Sequence, residues 1–256
     1  MRVELASPVN YTLVLGDVSI PMNELVGKPI KLHYQGFINC VNCGTEVKKA
    51  FGQGFCYPCF MNSPMNSECI IRPELCLAHE GKGRDPQFEE KYHNQPHVVY
   101  LAVTSGVKVG VTREQQVPTR WIDQGAWQAI RLAEVPYRQL AGEIEVFLKD
   151  FVSDKTHWQR MLKDIRAEGV DLQEQKDELL DELGEDLGQY YSEDDTVTEL
   201  TYPVLAYPEK VKSMNFDKLP EIEGTLQGIR GQYLYFEEGR VINIRKFSGY
   251  FIDFEY

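Results

Sequence analysis

At 256 residues the chain is long enough for one large domain or two to three small ones with real cores, and its 43% hydrophobic and 26% charged residues suit a soluble globular protein. No apolar run approaches the ~20 residues of a membrane helix and MRVELASPVN carries no signal-peptide core, so a cytoplasmic protein with no membrane partner is expected. The net charge of −12 argues against general electrostatic coating of nucleic acid, which wants a basic surface.

Residues 1–39 read as a β-rich N-terminal segment. VELASPV, YTLVLG, DVSIPM and PIKLHYQGFI are short, rich in Val, Ile, Leu and Tyr, and punctuated by Gly or Pro, with Gly16-Asp17 suited to a hairpin turn.

Residues 40–97 hold all six cysteines and three of the five histidines, His79, His93 and His97, with little apolar periodicity. CVNC (40–43) and CYPC (56–59) are separated by twelve residues. Each loop can present two thiolates to one tetrahedral zinc ion, so Cys40, Cys43, Cys56 and Cys59 predict a structural four-cysteine zinc ribbon or knuckle. Four cysteines leave no open position for catalysis at that ion. Disulfides compete, but nothing points to secretion. Cys69, Cys76 and His79 form C-x6-C-x2-H, a spacing of no regular ligand set. Two readings stay open: a pair of small buried thiols with a surface histidine, or a second zinc site completed by His93 or His97.

Residues 98–155 read as hairpin, helix, strand, helix. VVYLAV and VKVGVT are the hairpin arms, REQQVPTRWIDQ carries a short helix with Pro118 in its first turns, and AIRLAEV is a strand ended by Pro136. PYRQLAGEIEVFLKDF is an amphipathic helix with Leu140, Ile144, Phe147, Leu148 and Phe151 at helical spacing. Between His97 and Leu140 stand five Lys or Arg and three acids, a mildly basic stretch in an acidic chain.

Residues 156–199 are helical and acidic, with 13 Asp or Glu and the single Lys176 between Glu168 and Glu199. Leu172, Leu179, Leu183 and Leu187 form a stripe that reads either as a core-facing helix with a solvated acidic face or as a helix guarding the basic middle. Residues 200–256 are again β-rich, with Glu238-Gly239 as a hairpin signal, and the two ends of the chain suggest one shared β-barrel. The fold class expected is α+β.

VVYLAVTSGVKVGVTREQQVPTRW resembles the GIY-YIG nuclease domain, above all its divergent branch whose second motif reads like K-[IV]-G-[IV]-T. Val98-Val99-Tyr100 matches the first triplet and Lys108-Val109-Gly110 the second, with Lys108 where a tyrosine is usual. The resemblance implies a core of the same element order and a site in which Tyr100 positions or activates water, Arg120 stabilises phosphate and Glu145 holds Mg²⁺ or Mn²⁺. Lys108 can contact phosphate there. Helical geometry alone leaves Glu143 and Glu145 as alternatives, whereas the family's pattern of Glu followed by x-x-Leu matches Glu145. The whole layout, a Cys-rich knuckle before HVVYLAVTSGVKVGVTR, then RWIDQGA, DKTHW and GIRGQYLYF, also resembles a bacterial family of unknown function. The implied function is nucleic-acid binding, to DNA or RNA, with metal-dependent endonuclease activity. The alternative is a catalytically inactive scaffold with structural zinc that docks a protein partner. No Gly-rich phosphate loop or Ser/His/Asp pattern favours a small-molecule enzyme.

Overall fold

The computed structural model describes residues 1–153 and 155–256; the aspartate that opens the DKTHW motif lies outside the described residues. The N-terminal segment begins with an antiparallel sheet of β1 (Arg2–Glu4), β2 (Asn10–Leu15) and β3 (Val18–Pro21), with Gly16 at φ 57 in the tight turn between β2 and β3. The long β4 (Pro29–Asn39) leads to β5 (Glu46–Val47) and the cysteine-rich segment, which contains α1 (Tyr57–Asn62), a series of single 3-10 turns and α2 (Pro86–Tyr92). Asp85 caps α2 by accepting from the Gln87 and Phe88 N–H groups, and Pro86 occupies its first turn.

The middle of the chain is β6 (His97–Val103), β7 (Val107–Arg113), α3 (Thr119–Asp123), β8 (Gln128–Val135) and α4 (Arg138–Leu148). After α5 (Trp158–Leu162) and α6 (Leu172–Gly188), the short β9 (Thr198–Glu199) completes a four-stranded sheet in the order β7-β6-β8-β9. The helix expected over 113–124 is shorter than its pattern. A 3-10 turn at Glu114–Gln116 is followed by Val117 in extended conformation, and α3 starts only after Pro118. Proline lacks an N–H and disfavours helical geometry in the residue before it, which separates the two pieces.

β6 explains the layering. All seven of its residues are buried, because both faces of the sheet are covered. Val98, Tyr100 and Ala102 point into a core shared with Tyr11, Leu32, Ile222 and Ile229 of the β-rich ends. Val99, Leu101 and Val103 point the other way, onto Leu140, Ile144 and Leu148 of α4 and Leu172, Leu179 and Leu183 of α6. The period of two along a strand thus serves two cores at once. The acidic helix packs as a covering layer on the sheet. Phe147 and Phe151, expected on the buried face of α4, stay exposed and pack on each other at 5.6 Å; α4 ends at Leu148, so helical spacing does not carry on to Phe151.

The C-terminal segment supplies β10 (Lys212–Ser213), β11 (Glu221–Arg230), β12 (Tyr233–Phe236), β13 (Arg240–Asn243) and β14 (Tyr250–Glu255). β4 lies between β11 and β14, with Leu32 opposite Ile222 on one side and Phe254 on the other. The two ends of the chain therefore share one seven-stranded sheet, in the order β10-β13-β12-β11-β4-β14 with β5 added on β4. Among the described residues this ladder does not close on itself, so the sheet is open where a barrel was expected. No helix among the described residues is long and apolar enough to cross a membrane.

Candidate functional site: a basic cleft beside the second cysteine cluster

The two C-x2-C loops meet beyond the end of β4. Gly44, at φ 74, donates its N–H to the Cys40 carbonyl and closes the first loop, while α1 starts directly after Cys56 and carries Cys59. One sulfur from each of Cys40, Cys43, Cys56 and Cys59 lies within 4.8 Å of the others, and the Cys43 and Cys56 sulfurs are 3.8 Å apart. Burial raises the Cys40 thiol's pKa, but backbone N–H groups of Cys56, Cys43 and Asn42 outweigh it and bring the thiol down to about 6. Such donors favour thiolate, the form that binds metal. The cluster can hold a metal ion such as zinc.

A second cluster forms where the 3-10 turns meet α2. Cys69, Cys76, Glu89 and His93 each bring one ligand atom within 4.8 Å of the rest, and all four are buried. His79, the histidine at the C-x6-C-x2-H spacing, is not among them; its ring stacks on Tyr137 at 4.6 Å and 7°. His97 is also elsewhere, with Nδ1 2.7 Å from the Gln95 carbonyl. His93 takes the position left open for a fourth ligand, and Glu89 is the residue that the cysteine spacings do not disclose. Its signal is local: Glu89 lies in α2 and His93, four residues on, caps the end of that helix with its N–H on the Glu89 carbonyl. The neighbouring Cys76 thiol, with help from His93 and Ser67, holds the Cys69 thiol down to about 4.

Between this cluster and the central sheet opens a cleft of about 640 Å³. Lys108 and Arg113 reach it from β7, Arg120 from α3, Arg138 and Glu145 from α4, and Arg245 from the turn after β13. Among the described residues, five cations and one carboxylate thus line one cavity of an acidic chain. Glu145 lies 3.6 Å from Lys149, while Glu143 is exposed, pairs with Gln139 and does not line the cleft. Burial lowers the pKa of both Arg113 and Arg138. Arg138 is held by two backbone carbonyls, donating Nε to Cys69 at 2.9 Å and Nη2 to Ile70 at 3.0 Å. Among the described residues, none of α6 lines the cleft.

Tyr100 is not in the lining. It is fully buried under Gly110, which does line the cleft, and its hydroxyl donates to Gln124 Oε1 at 2.9 Å. Burial raises its pKa, Arg120 beside the hydroxyl lowers it in part, and the Glu145 charge raises it. The Tyr100 hydroxyl is therefore within electrostatic reach of both Arg120 and Glu145, and Lys108 and Gln124 line the same cleft. Among these groups Arg113, Arg138, Arg245 and Gln124 are singled out by no motif.

No curated protein and no solved structure matches the chain. One family model does, over residues 27–252, a span that takes in both cysteine clusters, the cleft and most of the shared β-sheet. The chain belongs to the family described as "Protein of unknown function (DUF2797)".

Proposed function

We propose that the cleft binds the phosphate backbone of nucleic acid and cuts it in the manner of a GIY-YIG nuclease, with zinc held structurally by Cys40, Cys43, Cys56 and Cys59. The observation that carries this reading is the charge of the cleft: Lys108, Arg113, Arg120, Arg138 and Arg245 face it against, among the described residues, the single carboxylate of Glu145. Guanidinium groups bind phosphate oxygens in bidentate fashion, and partly buried ones lose less to screening than surface charges. A net charge of −12 confines that attraction to the cleft, so the bound stretch of nucleic acid is short. Glu145 would hold a divalent ion, which when bound neutralises charge at the scissile phosphate. Arg120 and Lys108 then stabilise the pentacoordinate phosphate, and the buried Tyr100 acts only indirectly, by holding the cleft residue Gln124 through its hydroxyl.

Binding without cutting is the second reading. The buried Tyr100 hydroxyl is committed to Gln124, and burial makes it a weaker acid, so proton removal from water through it is unfavourable.

Fluorescence anisotropy with short single- and double-stranded DNA and RNA, with Mg²⁺ or Mn²⁺ in parallel cleavage assays, separates the readings. Binding that weakens with salt, at a log–log slope of about −2 to −4 for a few phosphates, is expected. Cleavage that is lost in Arg120→Ala and Glu145→Gln supports the nuclease; binding with no cleavage supports the second reading. No binding at low salt would overturn both.

A further inference from the structure

We infer that Cys69, Cys76, His93 and Glu89 form a second, closed metal site for a zinc-class ion, which fixes the wall of the cleft that carries Arg138.

Geometry comes first. A tetrahedral ion with bonds of about 2.3 Å to sulfur and about 2.0 Å to nitrogen sets sulfur and nitrogen about 3.5 Å apart. His93 Nδ1 lies 3.6 Å from Cys76 Sγ and 3.8 Å from Cys69 Sγ. Glu89 Oε2 lies against the same nitrogen but makes no hydrogen bond there, although the atom is buried. One ring nitrogen carries at most one hydrogen, yet two sulfurs and a carboxylate oxygen converge on it. A cation among the four atoms satisfies all of them together. Gly83 helps to shape the site, since a Cβ there would lie 2.3 Å from Glu89 Cγ and displace the carboxylate.

The donor set selects the ion. Two thiolates and an imidazole favour zinc over magnesium or calcium, and four protein ligands leave no position for substrate. With both cysteines and Glu89 ionised, a divalent ion leaves the site with a single negative charge. The Arg138 guanidinium, bonded to the Cys69 carbonyl, stands next to it to compensate.

The surroundings show why a cross-link is needed. The apolar cluster here consists only of Cys69, Cys76 and Ala78, while Ile70, Ile71, Leu75 and Leu77 are exposed. So small a core adds little to the packing of these turns on α4, whereas a bound ion cross-links them directly to α2. The turn it fixes supplies the Cys69 and Ile70 carbonyls that grip Arg138, and Ile70 and Ile71 line the cleft beside it. The ion is thus a positioning device for a cleft arginine and takes no part in any reaction there.

The test uses the full chain purified with its own metal. Elemental analysis should give two zinc ions per chain. Zinc-edge X-ray absorption on the unmodified protein should give an average of about three sulfurs and one lighter ligand per ion, against four sulfurs for a four-cysteine site alone. His93→Ala and Cys76→Ser should each remove one ion, while His79→Ala keeps both. One ion per chain with four sulfurs overturns the inference, as does a His93→Ala protein that keeps two. One ion with two sulfurs supports it and instead removes zinc from the Cys40–Cys59 cluster. Because the absorption spectrum is read on the unmodified chain, the outcome does not depend on the variants folding.

Discussion

Gly110 stands directly opposite Tyr100 in the β6–β7 ladder, and a Cβ on it would lie 2.6 Å from the tyrosine hydroxyl oxygen. The glycine is therefore the space into which the buried ring extends, and it lets the hydroxyl end beneath the cleft floor. A motif glycine here serves side-chain packing, since its backbone is ordinary strand.

Gly110→Ala should destabilise the fold by about 1–3 kcal/mol, because the tyrosine is buried and has nowhere to move. Tyr100→Phe removes the hydrogen bond to Gln124 and should cost about 1 kcal/mol. The double variant should be modestly more stable than the two losses added together, since phenylalanine lacks the oxygen at 2.6 Å, while its Cζ at 2.7 Å still meets the new methyl group. Urea midpoints of the four proteins provide the cycle; strict additivity would show that the two residues do not touch in this way.

Gly142 makes a similar case on α4. A Cβ there would lie 2.1 Å from the Glu74 backbone nitrogen and 2.5 Å from the Pro73 carbonyl carbon. In an exposed helix interior alanine is better than glycine by about 1 kcal/mol. Here the sign should reverse, because the neighbour is main chain that cannot rotate away. Gly142→Ala should lower the melting temperature and open the 64–80 turns to protease. A higher melting temperature would mean that helix propensity outweighs the contact.

How much of this was legible follows from the range of each interaction. The Cys40–Cys59 cluster is local, two loops within twenty residues, so its spacing carried the ligand set. The second cluster was half legible. Cys69 and Cys76 are near in sequence, but which histidine joins them depends on the fold of the intervening turns, and His79 turns to Tyr137 instead. β6 showed its strand character, and its unbroken apolar run reflects two covered faces. The pairing of β4 with β11 and β14 was not legible, because registers such as Leu32 with Ile222 and Phe254 join opposite ends of the chain. Lys176 reads in the sequence as one charge on a solvated face. It is fully buried because its ammonium donates to the Ser192 and Asp194 carbonyls and to Asp195, a match that helical periodicity does not encode.

Arg230 ties three segments together inside the protein. From β11 it donates Nε to the Gly125 carbonyl at 3.0 Å and Nη1 to Asp164 at 2.6 Å, and it stands over the rings of Tyr202 and Tyr207. Arg230→Met should cost about 3 kcal/mol, because it leaves the Gly125 carbonyl without this donor and Asp164 with Arg166 as its remaining cation. Arg230→Lys should recover little, since one ammonium cannot reproduce two directed donors. Chemical denaturation measures both. A lysine variant as stable as the parent would show that charge alone, and not the planar fork, is what the site requires.

His97 gives the fold a defined response to acid. It is fully buried, its Nδ1 serves the Gln95 carbonyl at 2.7 Å, and its Nε2 is buried with no partner among the described residues. Burial, offset in part by the Gln95 bond, lowers its pKa from 6.5 to about 4. Between those values the unfolded chain takes up a proton that the folded chain refuses. Stability therefore rises with pH across this window and is lost as pH falls from about 6.5 toward about 4. The loss due to this one group should reach about 2 kcal/mol near pH 5. His97→Phe cannot take the proton, so its stability should fall less steeply over the same range, even if it is lower at neutral pH through the lost hydrogen bond. Urea unfolding of both proteins at about pH 7.5, 6 and 5 compares the slopes. Because acid would strip any thiolate-bound metal from both proteins alike, the difference between the two curves isolates His97. Parallel curves would show that the folded chain takes up the proton as readily as the unfolded one.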